Sequence, residues 1–577
     1  MYHKISMLER QCLLLLLALW GSTIAAAMTT TTMIPFNHAG ASPCSDAVVD
    51  RILQHLRCEQ SMGAYTAATH VADELETVYS DIARLLHAAP PPPHHDDDDG
   101  ASSSSNINIA LVESATVGWT RLFGAMMAYQ QQQQRTQHRR RQQQHAPTRP
   151  TVSTILVSSV EYAANLVAIR RWCQQQEEEQ QSEEQQQTWT VLAMPSATNT
   201  SDGSSTGTVC LTTFQSMLNG TYEYTNAAAD DNDTTTTTTT EHNNNKKKIR
   251  LDPSTIALVA VTHIPTNAGV INPVEAIGQQ IAAYNQQQQQ QQHDNDNNHN
   301  HKIFYLVDAC QSVGHIPIHV ERLHCDGLVA SGRKYLAGPR GTGFLYVSPS
   351  MLLLDVPPDH HVDHFGAPVQ TTSNNTGTTT TNGTSSAAAV VLQPILPRPD
   401  ARRFEFWESS IALRLGLGVA VRQALLLQQQ QNSSVPEATA RITRQRALYL
   451  YERLGTVLHV QRHYRPACGI VTFWSSSSSS PHTSTVSAQE IHRQLLERGF
   501  ETSVVPATST PLDHHHHHPT TITTSSPSVV ARLPDMVRAS VSHRTTMHDM
   551  DRLCDAIDDI LVRSNRTSSS SSSSSRS

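Results

Sequence analysis

The sequence predicts an α/β protein of two domains: a large one built on a mainly parallel sheet with helices on both faces, and a smaller α+β one toward the C-terminus, interrupted by disordered low-complexity insertions. Three observations carry this. Short apolar, β-branched segments recur, each ending in small or polar residues before a helix-length stretch, and such strands belong to a parallel sheet covered on both faces. Beyond a glutamine run near residue 430 the pattern shifts to the mixed helices and strands of a smaller unit. Homopolymer runs of Gln, Thr, Asn, Ser, His, Asp and Pro fall between elements, where loop closure costs grow slowly with length, and they bury too little apolar surface to offset the entropy of ordering.

In chain order, Lys4 and Arg10 precede an apolar stretch from Cys12 to Trp20 and then small residues, the layout of a secretory signal peptide over residues 1–27. Translation starting at Met28 or Met33 would instead give a leaderless cytosolic protein. No other segment reads as long and apolar enough to cross a bilayer, so no membrane partner is expected beyond that leader.

The large domain spans 34–427, its first segment expected to pack on the small domain. Its strands run Ile107 to Val112, Thr154 to Val157, Ile256 to Val261, Ile303 to Val307 and Gly327 to Ala330. Their carboxyl ends carry Glu113–Thr116, Glu161–Asn165, Thr262–Thr266, Asp308 and Ser331–Lys334, and ligands of such sheets sit beyond that edge. The small domain spans 437–563. It reads as helix Arg441 to Leu454, strand Gly469 to Phe473, helix Ala488 to Arg498, strands Phe500 to Val505 and Val537 to Val541, and helix Met547 to Leu561. Ser487 with Glu490 makes a capping box, and Gly499 stands where that helix should stop. A disordered Ser-rich tail covers 564–577.

Composition narrows the function classes. The 577 residues hold 42 Lys+Arg against 50 Asp+Glu, a net charge of −8, and are 38% hydrophobic. Setting aside the polar runs and leader leaves roughly 375 residues, enough for two ordinary domains. Mild acidity gives no reason to expect nucleic acid. The nine cysteines form no CxxC pair, so neither a zinc site nor a disulfide framework is written here. Seven Asn-X-Ser/Thr sequons, all in polar stretches, point toward secretion instead.

The chemistry concentrates in Phe304-Tyr305-Leu306-Val307-Asp308-Ala309-Cys310-Gln311, followed by Ser331-Gly332-Arg333-Lys334 and Gly338-Pro339-Arg340-Gly341-Thr342-Gly343. An acid at one strand end and a lysine at another suit pyridoxal 5'-phosphate, which needs a carboxylate to keep its pyridine nitrogen protonated and an amine to hold it covalently. Taken singly, Asp308 could be a helix cap and Lys334 a solvated lysine. Ala115 and Thr116 open a helix whose free N–H groups and dipole favour an anion such as the cofactor phosphate.

In this block the chain resembles the class V aminotransferase family of fold type I pyridoxal-phosphate enzymes. The resemblance implies that Lys334 carries the cofactor and moves the substrate's Cα proton, with Asp308 at the pyridinium nitrogen. It implies Gln311 near the phenolic oxygen with Thr266 close by, and Ser331 and Arg333 completing the phosphate cup. Tyr162 takes the place where cysteine desulfurases carry a ring-stacking histidine. Thr342 resembles a phosphate contact supplied by a neighbouring subunit, which implies a homodimer with shared active sites. Arg538, in Val537-Arg538-Ala539-Ser540, matches the arginine that forks onto a substrate α-carboxylate. His263 is expected to support the site, and Trp119 and Trp407 to be core or interface.

A cysteine desulfurase needs a nucleophilic cysteine ahead of the Arg538 strand, and residues 502–537 contain none. The segments Phe36-Asn37-His38-Ala39-Gly40, Arg403-Phe404-Glu405-Phe406-Trp407-Glu408 and Pro506-Ala507-Thr508-Ser509-Thr510 look more like the isopenicillin N epimerase and hercynylcysteine sulfoxide lyase group. The resemblance therefore implies an enzyme acting at Cα of an amino acid, with C–S β-elimination from a cysteine derivative placed ahead of epimerisation or transamination. A reading of another class is a secreted metal-binding scaffold that uses His514–His518 and the His94-His95, Asp96–Asp99 run.

Overall fold

The computed structural model describes residues 33–88, 108–143, 152–180, 188–199, 205–225, 248–293, 302–354, 369–371, 395–406, 408–429, 436–476, 486–513, 521–522 and 534–573. The leader, Trp407 and both His-rich runs lie outside them. Eight strands form the main sheet, in the order Thr521–Ile522, Thr188–Met194, Val152–Ser158, Ile256–Thr262, Phe304–Asp308, Gly327–Ser331, Gly343–Val347 and Ile109–Val112. The four pairings from Thr188–Met194 across to Gly327–Ser331 are parallel. Gly343–Val347 runs antiparallel to both its neighbours, so Ile109–Val112 points the same way as the parallel set. Six strands thus deliver their carboxyl ends to one edge. The Gly343 and Thr188 strands are additions to the sequence reading, the first following a turn that masked it.

The central strands are buried at every position, as an all-apolar pattern requires. One apolar cluster fills each face of the sheet. Trp119 belongs to the core, stacked on Phe123 with centroids 5.1 Å apart.

A four-stranded antiparallel sheet follows, in the order Val460–Arg462, Ile470–Ser475, Met536–Ser540, Ser503–Val505. Helices Pro436–Leu454, Ala488–Glu497 and Met547–Ser573 share one apolar core with it. Ser487 Oγ accepts from Glu490 N–H at 3.2 Å, but the Glu490 carboxylate turns outward to Arg493, so half of the expected capping box forms. Gly499 has φ +85°, the left-handed stop read from sequence. At the opposite end of the chain, Ile34–Pro35 pairs in parallel with Phe500–Glu501.

Three expectations are corrected. Glutamine runs do not all interrupt the fold: Ala115–Gln143, Ala163–Gln180, Val274–His293 and Ile411–Gln429 are helices that continue into them. Glutamine is a good helix former, and extending a nucleated helix adds a hydrogen bond for each residue fixed. The final helix likewise runs to Ser573, into the serine tail. Finally, Ile411–Gln428 is long and apolar enough to cross a membrane by length and composition. It packs against helices Ala72–Leu85 and Asp46–Met62, and that packing supplies the reason for its apolar character.

Candidate active site

Except for Arg538, the residues expected to bind or react line one cavity at the carboxyl edge of the main sheet: Ala115, Thr116, Tyr162, Thr266, Asp308, Gln311, Ser331, Arg333, Lys334 and Thr342. They arrive from five strand ends, which explains how residues so distant in sequence meet.

Asp308 ends its strand buried. Its Oδ1 accepts from Cys310 N–H at 2.9 Å and its Oδ2 from the Asn165 amide at 3.2 Å. Lys334 sits in the turn after the Gly327–Ser331 strand and forms no ion pair among the described residues. Burial lowers its pKa, Arg333 and Arg538 push the same way, and Cys310 and Asp308 oppose. A lysine so placed reaches its neutral, nucleophilic form more readily than a solvated one.

The anion end is built from backbone. Ser114 Oγ accepts from Val117 N–H at 3.2 Å, capping helix Ala115–Gln143 and leaving the Ala115 and Thr116 N–H groups without protein partners among the described residues. Gly343 presses against this turn: a Cβ there would meet Ala330 O at 2.8 Å and Ala115 N at 3.0 Å. Thr342 Oγ1 donates to Pro339 O at 2.7 Å. The loop folds back on Gly332 through Gly338 N–H and the Thr342 carbonyl, and Thr342 lines the cavity within its own chain. Arg333 lines the same cavity while its guanidinium also bonds to Gly40 O.

Arg538 lies just behind the cavity wall. Its Nη1 donates to Thr266 Oγ1 at 2.7 Å and its Nη2 to Asn37 Oδ1 at 3.4 Å, while Nε is buried without a partner. Burial lowers its pKa to about 10, and no carboxylate pairs with it among the described residues. Gln311 Nε2 donates to Ala39 O at 2.9 Å, and its Oε1 is buried without a partner. His263 is buried, held neutral with its pKa lowered to about 4; its backbone N–H donates to the Asp308 backbone carbonyl at 2.9 Å, and its ring Nδ1 is buried without a partner. Tyr162 stands partly exposed at the wall.

Sequence reasoning missed Glu161, Asn165 and Thr262, which together brace Asp308. Glu161 lies two residues ahead of helix Ala163–Gln180, and Asn165 sits in its first turn and donates to the Glu161 carboxylate at 2.8 Å. The Phe36–Gly40 segment was noted for its resemblance but given no place in the site, and its Asn37, Ala39 and Gly40 touch Arg538, Gln311 and Arg333 in turn.

An acid for a ring nitrogen, a lowered-pKa amine and free helix N–H groups around one cavity, with the partnerless Gln311 Oε1 in its wall and Arg538 Nε behind it, fit pyridoxal phosphate. Comparisons with known proteins agree. Residues 223–391, which hold Asp308, Gln311 and Lys334, match the family model Aminotransferase class-V. A probable cysteine desulfurase of Synechocystis is 40% identical over 89 residues, 15% of this chain and 17% of the relative. A cysteine desulfurase of Yersinia pseudotuberculosis is 31% identical over 211 residues, 35% of this chain and 42% of the relative. These matches span less than half the length of either relative. Among solved structures, a cysteine desulfurase from Thermococcus onnurineus aligns with TM-score 0.57 at 13% identity over 92% of this chain and 94% of that one. The cystine C–S lyase C-DES, in complex with cysteine persulfide, aligns at 0.56 and 16% over 92% and 99%. The described chain thus has the fold type I architecture of pyridoxal-phosphate enzymes, and its residues 223–391 match the class V aminotransferase family model.

Proposed function

We propose that the protein is a pyridoxal-phosphate-dependent enzyme acting at Cα of an amino acid, cleaving the C–S bond of a cysteine derivative by β-elimination. The observation that carries this is the convergence of Lys334 and Asp308 on one cavity, with Arg538 bonded to Thr266 of its wall from behind. When bound, the cofactor supplies an electron sink for negative charge at the substrate's Cα.

This chain's residues do the rest. Asp308 accepts the hydrogen bond of a protonated ring nitrogen, its remaining lone pairs held by Asn165 and Cys310 N–H. The Ala115 and Thr116 N–H groups with Ser331, Arg333 and Thr342 hold the phosphate. Lys334 takes the Cα proton through its neutral amine. Arg538 turns its guanidinium from Thr266 and Asn37 toward the substrate carboxylate, which supplies the missing counter-charge.

Elimination is favoured over persulfide transfer because the segment between strands Ser503–Val505 and Met536–Ser540 has no cysteine. Cys310 lines the cavity, but burial pushes its thiol pKa far up, which leaves a poor nucleophile. The test is a panel of cysteine S-conjugates, S-oxides and plain amino acids, with pyruvate, ammonia, oxo-acid and enantiomer followed separately. Pyruvate and ammonia in equal amounts support elimination. Racemisation of plain amino acids, or oxo-acid formed only with an amino acceptor, would move the assignment to the isopenicillin N epimerase-like or aminotransferase reading.

A further inference from the structure

A second buried carboxylate stands behind Asp308. Glu161 Oε2 accepts from Ser158 Oγ at 2.7 Å and from Thr262 N–H at 2.9 Å. Its Oε1 accepts from the Asn165 amide at 2.8 Å and from Thr262 Oγ1 at 2.6 Å. Each oxygen therefore faces one group that can only donate, a backbone N–H or an amide NH2. The same Asn165 Nδ2 donates to Asp308 Oδ2 at 3.2 Å. A single amide bridges two carboxylates, and with Thr262 between them the group draws on three adjacent strand ends.

We propose that Glu161 is a positioning residue which, through Asn165, fixes the orientation in which Asp308 meets the ring nitrogen of the cofactor. This rests on the pyridoxal-phosphate reading above. The geometry leaves Asn165 little choice: one amide hydrogen goes to Glu161, and the other falls toward the acid that must face the cavity. Without Glu161, the Asn165 amide would be held toward Asp308 only by its single 3.2 Å bond to that carboxylate, having lost the shorter 2.8 Å anchor that sets its position. Burial raises the Glu161 pKa, with the field of Asp308 adding to it, while Thr262, Asn165 and Ser158 oppose. The other titratable groups facing the pair are Cys310 and Lys334 beside Asp308, Arg333 beyond them, and Tyr305 on the Glu161 side.

The experiment uses the full chain and pyridoxal phosphate as probe. It reads the cofactor dissociation constant and the pH dependence of the bound cofactor's visible absorbance in wild type, Asp308→Asn, Glu161→Gln and Asn165→Leu. Glu161→Gln sets an NH2 against obligate donors, and Asn165→Leu removes the bridge while Glu161 keeps Ser158 and Thr262. Both are expected to weaken cofactor binding about tenfold and to move the absorbance transition to lower pH by about one unit, in the direction of Asp308→Asn. If Glu161→Gln does not fold, Asn165→Leu decides on the same readouts. Variants that melt earlier yet keep the wild-type pH transition and affinity would leave Glu161 a purely structural residue and overturn the proposal, with the pyridoxal-phosphate reading intact. A wild-type protein that binds no cofactor overturns both.

Discussion

Arg538 Nη1 donates to Thr266 Oγ1 across 2.7 Å, so one of the two inner strands of the small sheet is bonded to the rim of the large sheet's cavity. The donor is a buried cation with an idle Nε and no carboxylate beside it among the described residues. Leaving a charge so is costly unless an anion arrives to share it.

Arg538→Lys should therefore raise KM for an α-amino acid by at least about tenfold, because a lysine cannot reproduce the planar fork. Cofactor binding should be unchanged. Steady-state kinetics beside an absorbance titration separates the two, and an unaltered KM would remove Arg538 from the substrate site.

Gly343 is a second probe. Gly343→Val places side-chain carbon where Ala330 O and Ala115 N already stand within about 3 Å, shifting the helix start that faces the phosphate. Overpacking costs about 1–3 kcal/mol. Affinity for pyridoxal phosphate should fall about tenfold, while that for pyridoxal, which lacks the phosphate, stays level. Equal losses for both ligands would mean that the turn does not hold the phosphate.

Acid should loosen the fold through His315. Its Nε2 accepts the Gly469 N–H at 2.8 Å, so Nδ1 must carry the proton it shares with Gln311 O at 3.0 Å. Burial lowers its pKa to about 3, against roughly 6.5 when unfolded. The unfolded chain binds more protons between these values, so stability contributed by neutral His315 is present above about pH 6.5 and lost progressively as pH falls toward 3. His315→Gln should flatten the decline of melting temperature with pH over that window. A wild-type melting temperature constant from pH 7 to pH 4 would contradict this.

The glutamine runs carry a stability test. Gln130 Nε2 donates to Lys302 O at 2.6 Å and Ala257 O at 3.2 Å from a buried position. Gln130→Leu keeps the bulk but strands two carbonyls, and should cost about 1–3 kcal/mol by denaturant unfolding. A loss below about 0.5 kcal/mol, the usual size for a surface substitution, would return this glutamine to the solvated tract that composition suggests.

Gln130 also shows where the sequence was legible and where it was not. Strand cores such as Ile256–Thr262 and Phe304–Asp308 read plainly because burial on both faces demands unbroken apolar runs, and the chemistry at their ends follows from sheet topology. The Gly343 strand was hidden behind glycines that read as a turn. Helices that extend through glutamine were missed because composition records polarity and not the turn of apolar residues that nucleates them. In the site, Asp308 and Lys334 were legible as a pair at two strand ends. Glu161 and Asn165 were not, since a carboxylate and an amide around a helix start look like any solvated loop until the fold buries them. The reach of Asn37 to Arg538 depends on pairing between the first and last parts of the chain, which no local pattern announces.

The central claim is that Lys334 carries pyridoxal phosphate, and the most direct test is the visible absorption spectrum of purified protein with added cofactor, before and after borohydride, followed by peptide mapping. The account predicts a yellow band in the wild-type protein, bleached by borohydride with the cofactor's mass fixed on Lys334, and no such adduct in Lys334→Ala. A wild-type protein that shows no band, or an adduct that maps elsewhere, would contradict it.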